Sequence, residues 1–165
     1  MKQSSIKKIT WAGLLTAIAV LGSFISFPVI GSKCAPLQHM VNVICAVTLG
    51  PGYAVLTAFS ASLLRNLLGL GSLLAFPGSL FGALISGILY KMTKKIPAAI
   101  VGEILGTGIV GGLVAYPVSI FLMGNAAGTI AFYAYVVPFL ISTGVGAILA
   151  GVCLTVMKSF FRKEA

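Results

Sequence analysis

The sequence predicts an all-α membrane protein with six transmembrane helices, some of them short or broken, and with both termini in the cytoplasm. Three observations predict this fold class. Hydrophobic residues make up 59% of the 165 residues, charged residues make up only 8%, and the mean hydropathy is +1.12. Ordinary soluble domains carry about 25% charged residues, and a soluble domain of this size cannot bury so much apolar surface. Residues 1–165 are therefore expected to form a single integral-membrane domain.

The first half of the sequence contains one long and two short apolar segments. Residues 9–30 follow a short basic N-terminus and carry no charge. This segment is long enough to cross a bilayer, and it is expected to remain as a helix rather than to be cleaved as a signal peptide. Residues 38–49 and 53–68 are separated by Gly50-Pro51-Gly52. Both are shorter than the about 20 residues of a typical span, so we expect short or broken helices that cross only when packed against neighbours.

The second half contains three more apolar segments, separated by turn-forming residues. After a loop at residues 69–76, a fourth helix is predicted over residues 77–90 and ends at a group of lysines. The fifth helix is predicted over residues 97–123, because proline is favoured in a first helical turn. A glycine-rich turn at residues 124–128 leads to the sixth helix, predicted over residues 129–157. Six helices leave no length for a folded domain outside the membrane.

The basic residues predict the orientation of this bundle. Only Lys33 and Arg65 fall on the side opposite to the N-terminus. Basic residues collect on cytoplasmic segments and there contact anionic lipid, so the N-terminal side is expected to be cytoplasmic. Because the basic residues form short clusters beside the helices, they do not indicate binding to nucleic acid. The predicted cytoplasmic set comprises Lys2, Lys7, Lys8, Lys91, Lys94, Lys95, Lys158, Arg162 and Lys163.

Acidic residues are too few for most enzyme chemistry. Asp and Glu together number 2, namely Glu103 and Glu164. Hydrolysis by paired carboxylates and carboxylate-bound Mg²⁺ are therefore not expected, and no nucleophile–base pair suggests a lipid-modifying enzyme. No Gly-Lys pair occurs, which argues against a phosphate-binding P-loop. We expect neither an enzyme nor a cofactor, and any ATP hydrolysis would belong to another chain.

Polar residues collect at the start of the second apolar segment. Gln38 and Asn42 are four residues apart and share a helix face, with His39 beside them and Cys34 just before them. This group predicts a pocket lining for a small polar heterocycle. The alternative is a helix start stabilised by local and interhelical hydrogen bonds. A metal site is the weaker interpretation, because His and Cys without carboxylates make a poor metal cage.

Four later residues complete the predicted binding set: Asn66, Glu103, Tyr116 and Tyr133. Arg65 beside Asn66 could contact substrate, but a structural role near the outer interface or at loop carbonyls is favoured. An acid inside a span indicates substrate recognition, a proton site or an ion pair, and the alternative for Glu103 is an interfacial pair with a nearby lysine. The tyrosines could stack on a ligand ring or simply belong to the interfacial aromatic belt.

Small residues on the first helix indicate a close helix–helix contact. Gly13 and Ala17 are four residues apart, as are Ala12 and Thr16. Small residues at this spacing let another helix approach closely. These four residues therefore predict a docking face for a partner protein, with ordinary packing inside the bundle as the alternative.

Five short motifs carry a family resemblance. They occur in a chain whose termini are basic and whose first helix carries pairs of small residues. They are GSKCAPLQHMVN at residues 31–42, GPGY at 50–53, RNLLG at 65–69, FPGS at 76–79 and GEILGTG at 102–108. Together they resemble the ThiW family over most of the chain, from about residue 9 to 161. That family comprises S components of energy-coupling factor (ECF) transporters associated with the thiazole precursor of thiamine.

The resemblance implies a function and partners. The substrate would be 4-methyl-5-(2-hydroxyethyl)thiazole, bound from outside under loops at residues 31–37, 69–76 and 124–128. The partners would be a transmembrane coupling protein and two cytosolic ATPases in a prokaryotic cytoplasmic membrane, and the S component would topple to release its substrate. The docking motif of the family, AxxxA, occurs here in the modified form Gly13-x-x-x-Ala17.

Two other functions stay open at this point. The chain could be the S component for another small vitamin-related heterocycle. It could also be a small carrier that works alone and is coupled to protons through Glu103.

Overall fold

Apolar segments of the chain fold into helices that pack in one bundle. The computed structural model describes residues 5–29 and 32–163. An α-helix, a π-helical segment and another α-helix between Ile96 and Met123 follow one another without a break and form one long helix. The predicted all-α class is confirmed in the described part of the chain. The elements are α1 Ser5–Leu21, a 3₁₀ turn Gly22–Ile25, β1 Phe27–Val29, β2 Ser32–Cys34, α2 Pro36–Thr48, α3 Pro51–Leu67, α4 Ala75–Thr93, α5 Ile96–Glu103, the π segment Ile104–Gly111, α6 Gly112–Met123 and α7 Val136–Lys163.

Helix lengths divide the bundle into long and short members. Four stretches of the described residues are long and apolar enough to cross a membrane, which indicates a multi-pass membrane protein. Helices α2 and α3 are shorter, with 13 and 17 residues, as the sequence predicts. Gly50, with φ +92°, reverses the chain between them, a conformation that glycine adopts readily. The long stretches are Ser5–Ile25, Ala75–Thr93, Ile96–Met123 and Val136–Ser159.

The first helix ends earlier than predicted, and a β-hairpin follows it. The sequence predicts a helix to residue 30, but β1 already pairs with β2 in antiparallel register, with Phe27 opposite Cys34. Pro28 disfavours helical geometry at Phe27, so the chain leaves the helix before this proline. The two-stranded hairpin places Lys33 over the end of α3, where its Nζ donates a hydrogen bond to the Leu70 carbonyl at 3.1 Å.

The last helix begins later than predicted. The sequence predicts a start at residue 129, whereas α7 starts at Val136 and the preceding residues form turns. Pro138 explains the difference, because a proline deep inside a helix loses a hydrogen bond and clashes with the preceding turn. A start at Val136 places Pro138 in the first turn, where no such bond is needed.

Small residues allow the helices to approach closely. Ala54, Ala58 and Ala61 on α3 and Ala83 on α4 are fully buried in one cluster. Gly146 on α7 lies against α2, and a Cβ atom there would come within 2.3 Å of the Pro36 carbonyl oxygen. Such contacts are how helices associate in lipid, where burial of apolar surface alone does not drive packing.

The contact at Gly146 predicts a selective loss of stability. Gly146→Ala should lower the thermal midpoint in detergent, at a cost of about 1–3 kcal/mol, because backbone of α2 must move away from the added methyl group. Gly144→Ala is the matched control, since a Cβ atom at Gly144 meets nothing within 4 Å. Equal midpoints for the two variants would contradict the packing of α7 on α2.

Candidate binding site

A cavity opens at the end of the bundle that carries the β-hairpin. It is open at its mouth and lies between the hairpin, the end of α3 and the starts of α2, α4 and α7. Leu74, Gly78 and Phe139 supply apolar wall. Concave sites with apolar walls and a few directed polar groups are typical of small-molecule binding. The polar groups belong mainly to Lys33, Gln38, His39, Arg65, Ser79 and Ser142.

Gln38 forms part of the cavity wall, but its amide is used by the protein itself. Its Nε2 donates to Ser79 Oγ at 2.7 Å and lies 3.4 Å from Ser62 Oγ. Its carbonyl oxygen accepts a hydrogen bond from Arg65 Nη1. Gln38 is 2% exposed and Arg65 is 3% exposed. Gln38 therefore fixes the position of the Arg65 guanidinium at the cavity.

Glu103 lies beneath the cavity and gathers several polar side chains. Its Oε1 accepts hydrogen bonds from His39 Nδ1 at 2.9 Å and from Asn42 Nδ2 at 3.0 Å. Thr107 Oγ1 lies 3.0 Å from the same oxygen. Glu103 is fully buried at the end of α5, where the π segment begins. Breaks of this kind in helical register are frequent at functional sites.

The pair of His39 and Glu103 sets the hydrogen bonding that His39 presents to the cavity. An ionised Glu103 accepts the proton on Nδ1, so neutral His39 presents Nε2 as an acceptor and protonated His39 presents it as a donor. The hydrogen bond of the ring within residues 5–29 and 32–163 is made by Nδ1 and not by Nε2, and the side chain, 10% exposed, borders the cavity. Nε2 is therefore available to a ligand.

The second carboxylate oxygen of Glu103, Oε2, differs from Oε1 in its hydrogen bonding. Oε2 is buried and has no hydrogen-bond partner in the part of the chain that the structure describes. It lies against Gly82 on α4, where a Cβ atom would come within 2.7 Å of it. Glycine at residue 82 is what allows α4 to pass so close to this acid.

A comparison with models of protein families identifies the family of this chain. A family model described as thiamine-precursor transporter protein (ThiW) matches residues 9–160. The chain belongs to the ThiW family. Members of the ThiW family are transporters of thiamine precursors and not enzymes, so the predicted family and the predicted absence of enzyme activity are confirmed. No curated protein matches the chain.

Four of the predicted binding residues lie at or directly beneath the cavity of this ThiW protein. Gln38 and His39 line it. Asn42 and Glu103 lie below them and are joined through a hydrogen bond. The structure thus brings together residues from the start of α2 and the end of α5. The alternative pairing of Glu103 with a lysine at the start of α5 is not formed among the described residues, where the Glu103 carboxylate instead contacts His39 Nδ1.

The other four predicted binding residues are not brought to the cavity. Cys34 is buried, and its Sγ donates to the Pro138 carbonyl at 3.2 Å. Asn66 Nδ2 donates to the Ser62 and Ser72 carbonyls at 2.8 and 3.0 Å, which stabilises the end of α3. Tyr133 is 56% exposed, and its ring packs edge-on against Phe132.

Tyr116 completes this group of four. It is half-buried on α6 and is not part of the cavity wall. The long helix is irregular at the π segment. Pro117 lies outside that segment, within α6. The aromatic ring that does border the cavity is Phe139.

Several residues of the cavity wall were missed or given another role from sequence. Arg65 was assigned a structural role, although a buried charge in an apolar segment is by itself a functional signal. Ser79 and Ser142 are hydroxyls inside apolar segments, and such groups need partners at membrane depth. Ser142 Oγ accepts a hydrogen bond from the Ala35 backbone N–H at 2.9 Å. Phe139 carries no polar signal, and only the fold reveals it.

The predicted docking residues of this ThiW protein divide between two faces of α1. Ala12 and Thr16 are buried within the bundle, and Thr16 Oγ1 donates to the Ala12 carbonyl at 2.8 Å. Gly13 and Ala17 are exposed, and a Cβ atom at Gly13 would meet nothing within 4 Å. The outward face formed by Gly13 and Ala17 is defined here as the small-residue face.

Proposed function

We propose that this ThiW protein is the substrate-binding S component of an ATP-driven ECF importer in the cytoplasmic membrane of a prokaryote. It binds 4-methyl-5-(2-hydroxyethyl)thiazole from outside and delivers it by toppling on a coupling module. The single observation that carries the proposal is an open cavity, lined by apolar and polar side chains, in a chain that belongs to a thiamine-precursor transporter family.

The cavity suits a small, flat heterocycle. The Phe139 ring and the Leu74 side chain provide apolar wall for a thiazole ring. His39 Nε2 can pair with the hydroxyl group or, when protonated, with the ring nitrogen of the ligand. We propose His39 as the main polar contact, with Gln38, Asn42 and Glu103 as the residues that hold it and the cavity wall in place.

The distribution of charge supports an outward-facing cavity. Lys33 lies at the mouth of the cavity, whereas Lys91 and Lys94 lie at the opposite end of α4, beside the Gly50–Pro51 turn. Basic residues concentrate on the cytoplasmic side of membrane proteins. With six spans, both termini are then cytoplasmic and the cavity opens to the outside.

The small-residue face of α1 supports docking on a coupling protein. Exposed small residues four apart let a second helix approach closely in lipid. Gly13 and Ala17 provide such a face outside the bundle. The coupling protein would bind there, and two cytosolic ATPases would supply the energy from ATP.

A bulky side chain on this face should prevent assembly. Ala17→Leu is expected to abolish co-purification with the coupling protein while leaving thiazole binding unchanged, because Ala17 is exposed and is not part of the cavity wall. Thr155→Leu is the control, since Thr155 is exposed on α7 and its substitution should leave co-purification intact. If Ala17→Leu still co-purifies in full yield, the docking face lies elsewhere.

Uptake of labelled thiazole alcohol into proteoliposomes tests the transport role. We expect uptake only when the coupling protein, both ATPases and ATP are present. A carrier that works alone is the second candidate, and the buried Glu103 with its unpartnered Oε2 favours it as a proton site. Uptake by this chain without partners, abolished by Glu103→Gln, would establish that carrier and contradict the S-component role.

A further inference from the structure

Arg65 is a buried cation that has no counter-charge among the residues that the structure describes. Its side chain is 3% exposed, its Nη1 donates to the Gln38 carbonyl oxygen, and its Nε is buried without a partner among the described residues. Glu103 is the only carboxylate in residues 5–29 and 32–163; its Oε1 lies 2.9 Å from His39 Nδ1, and no ion pair joins it to Arg65. A buried charge that lacks a partner is costly, so a charge of this kind indicates a partner that arrives with the ligand.

The polar side chains around Arg65 that are not already hydrogen-bonded within the protein offer a ligand mainly hydrogen-bond donors. The Gln38 amide is occupied by Ser79, Ser62 and Arg65 itself. Lys33 Nζ makes one hydrogen bond, to the Leu70 carbonyl, and an ammonium group carries three N–H donors. No carboxylate side chain of the described residues lines the cavity. A cavity with two cationic side chains and no acid in its wall is suited to an anionic group.

We propose that this cavity also binds thiazoles whose side chain ends in an anionic oxygen group, a carboxylate or a phosphate, more tightly than it binds the neutral alcohol, and that Arg65 binds that group. This inference rests on the proposed function, which supplies the thiazole ring. The anionic group lies at the end of the side chain of that ring. Arg65 acts as a planar fork that pairs with two oxygens, and Gln38 holds the fork in place before the ligand arrives. Lys33 at the mouth adds a second, more exposed positive charge.

Titration calorimetry of the detergent-purified full chain with three related ligands tests this proposal. The ligands are 4-methyl-5-(2-hydroxyethyl)thiazole, its phosphate monoester and 4-methylthiazole-5-acetic acid. We expect the phosphate, the acid or both to bind at least tenfold more tightly than the alcohol, and the tighter of the two identifies the anionic group. This comparison needs no variant, so it does not depend on the folding of an altered chain.

Variants at Arg65 then assign the effect to its charge. Arg65→Gln should weaken binding of the preferred anion at least thirtyfold and binding of the alcohol less than threefold, whereas Arg65→Lys should keep part of the preference. The expected preference and its loss in Arg65→Gln support the proposal. Tighter binding of the alcohol than of both anions overturns the inference and leaves the proposed function standing. Binding of none of the three thiazoles overturns both.

Discussion

Replacement of Glu103 by alanine is expected to lower the free energy of unfolding by about 3–5 kcal/mol. The carboxylate accepts hydrogen bonds from His39 and Asn42, and Thr107 Oγ1 lies 3.0 Å from it. Without it, these buried polar groups lose their hydrogen-bond partner, which costs the desolvation free energy of each group. Denaturant unfolding in detergent, followed by circular dichroism, measures the change.

Ser86→Ala is the matched control for this variant. Ser86 is also fully buried on α4, but its Oγ has no partner among the described residues. Removing a hydroxyl that makes no hydrogen bond should cost less than about 0.5 kcal/mol, or even stabilise the protein. If Glu103→Ala unfolds at the same denaturant concentration as the native protein, the buried carboxylate does not hold α2 to α5.

Replacement of His39 by alanine is expected to weaken thiazole binding by about 10- to 100-fold, which corresponds to about 1.4–2.7 kcal/mol, because a polar group of the bound ligand is left without its hydrogen-bond partner. His39 Nδ1 is held by Glu103, so Nε2 is the ring nitrogen left for a ligand. Isothermal titration of the purified variant measures the change in affinity, and circular dichroism verifies that the helices remain.

Tyr133→Phe is the control for this second variant. Tyr133 was predicted from sequence as a ligand contact, but it is 56% exposed and lies outside the cavity. Its affinity for thiazole should match that of the native protein. An unchanged affinity in a folded His39→Ala variant, or a large loss in Tyr133→Phe, would move the binding site away from this cavity.

Local patterns in the sequence predict the helices and the polar start of α2 well. Gln38, His39 and Asn42 are close in sequence, so helical spacing alone places them together. His39 and Glu103 are 64 residues apart in the sequence. A local sequence pattern therefore cannot predict their contact. The burial of Glu103 depends on Gly82 on another helix, which becomes evident only in the fold.

The sequence-based prediction differs from the structure at two places. One is the start of α7, which a proline determines, and the other is α1, where adjacent helix faces carry the same small-residue spacing. The sixth helix was extended over the tyrosine region because that region is apolar, whereas Pro138 fixes the helix start at Val136. Tyr135, directly before this start, packs against Phe139 in a small buried cluster. On α1, Gly13 and Ala17 could not be separated from Ala12 and Thr16 by spacing, because both pairs have the same period.

Calorimetric titration of the purified chain with thiazole alcohol, the pyrimidine precursor of thiamine, thiamine and riboflavin tests the central claim most directly. Tryptophan fluorescence is a poor substitute, because Trp11 lies near the start of α1 and away from the cavity. The proposed function predicts saturable binding of the thiazole alone. Binding of the pyrimidine or riboflavin in its place, with no response to the thiazole, would contradict it.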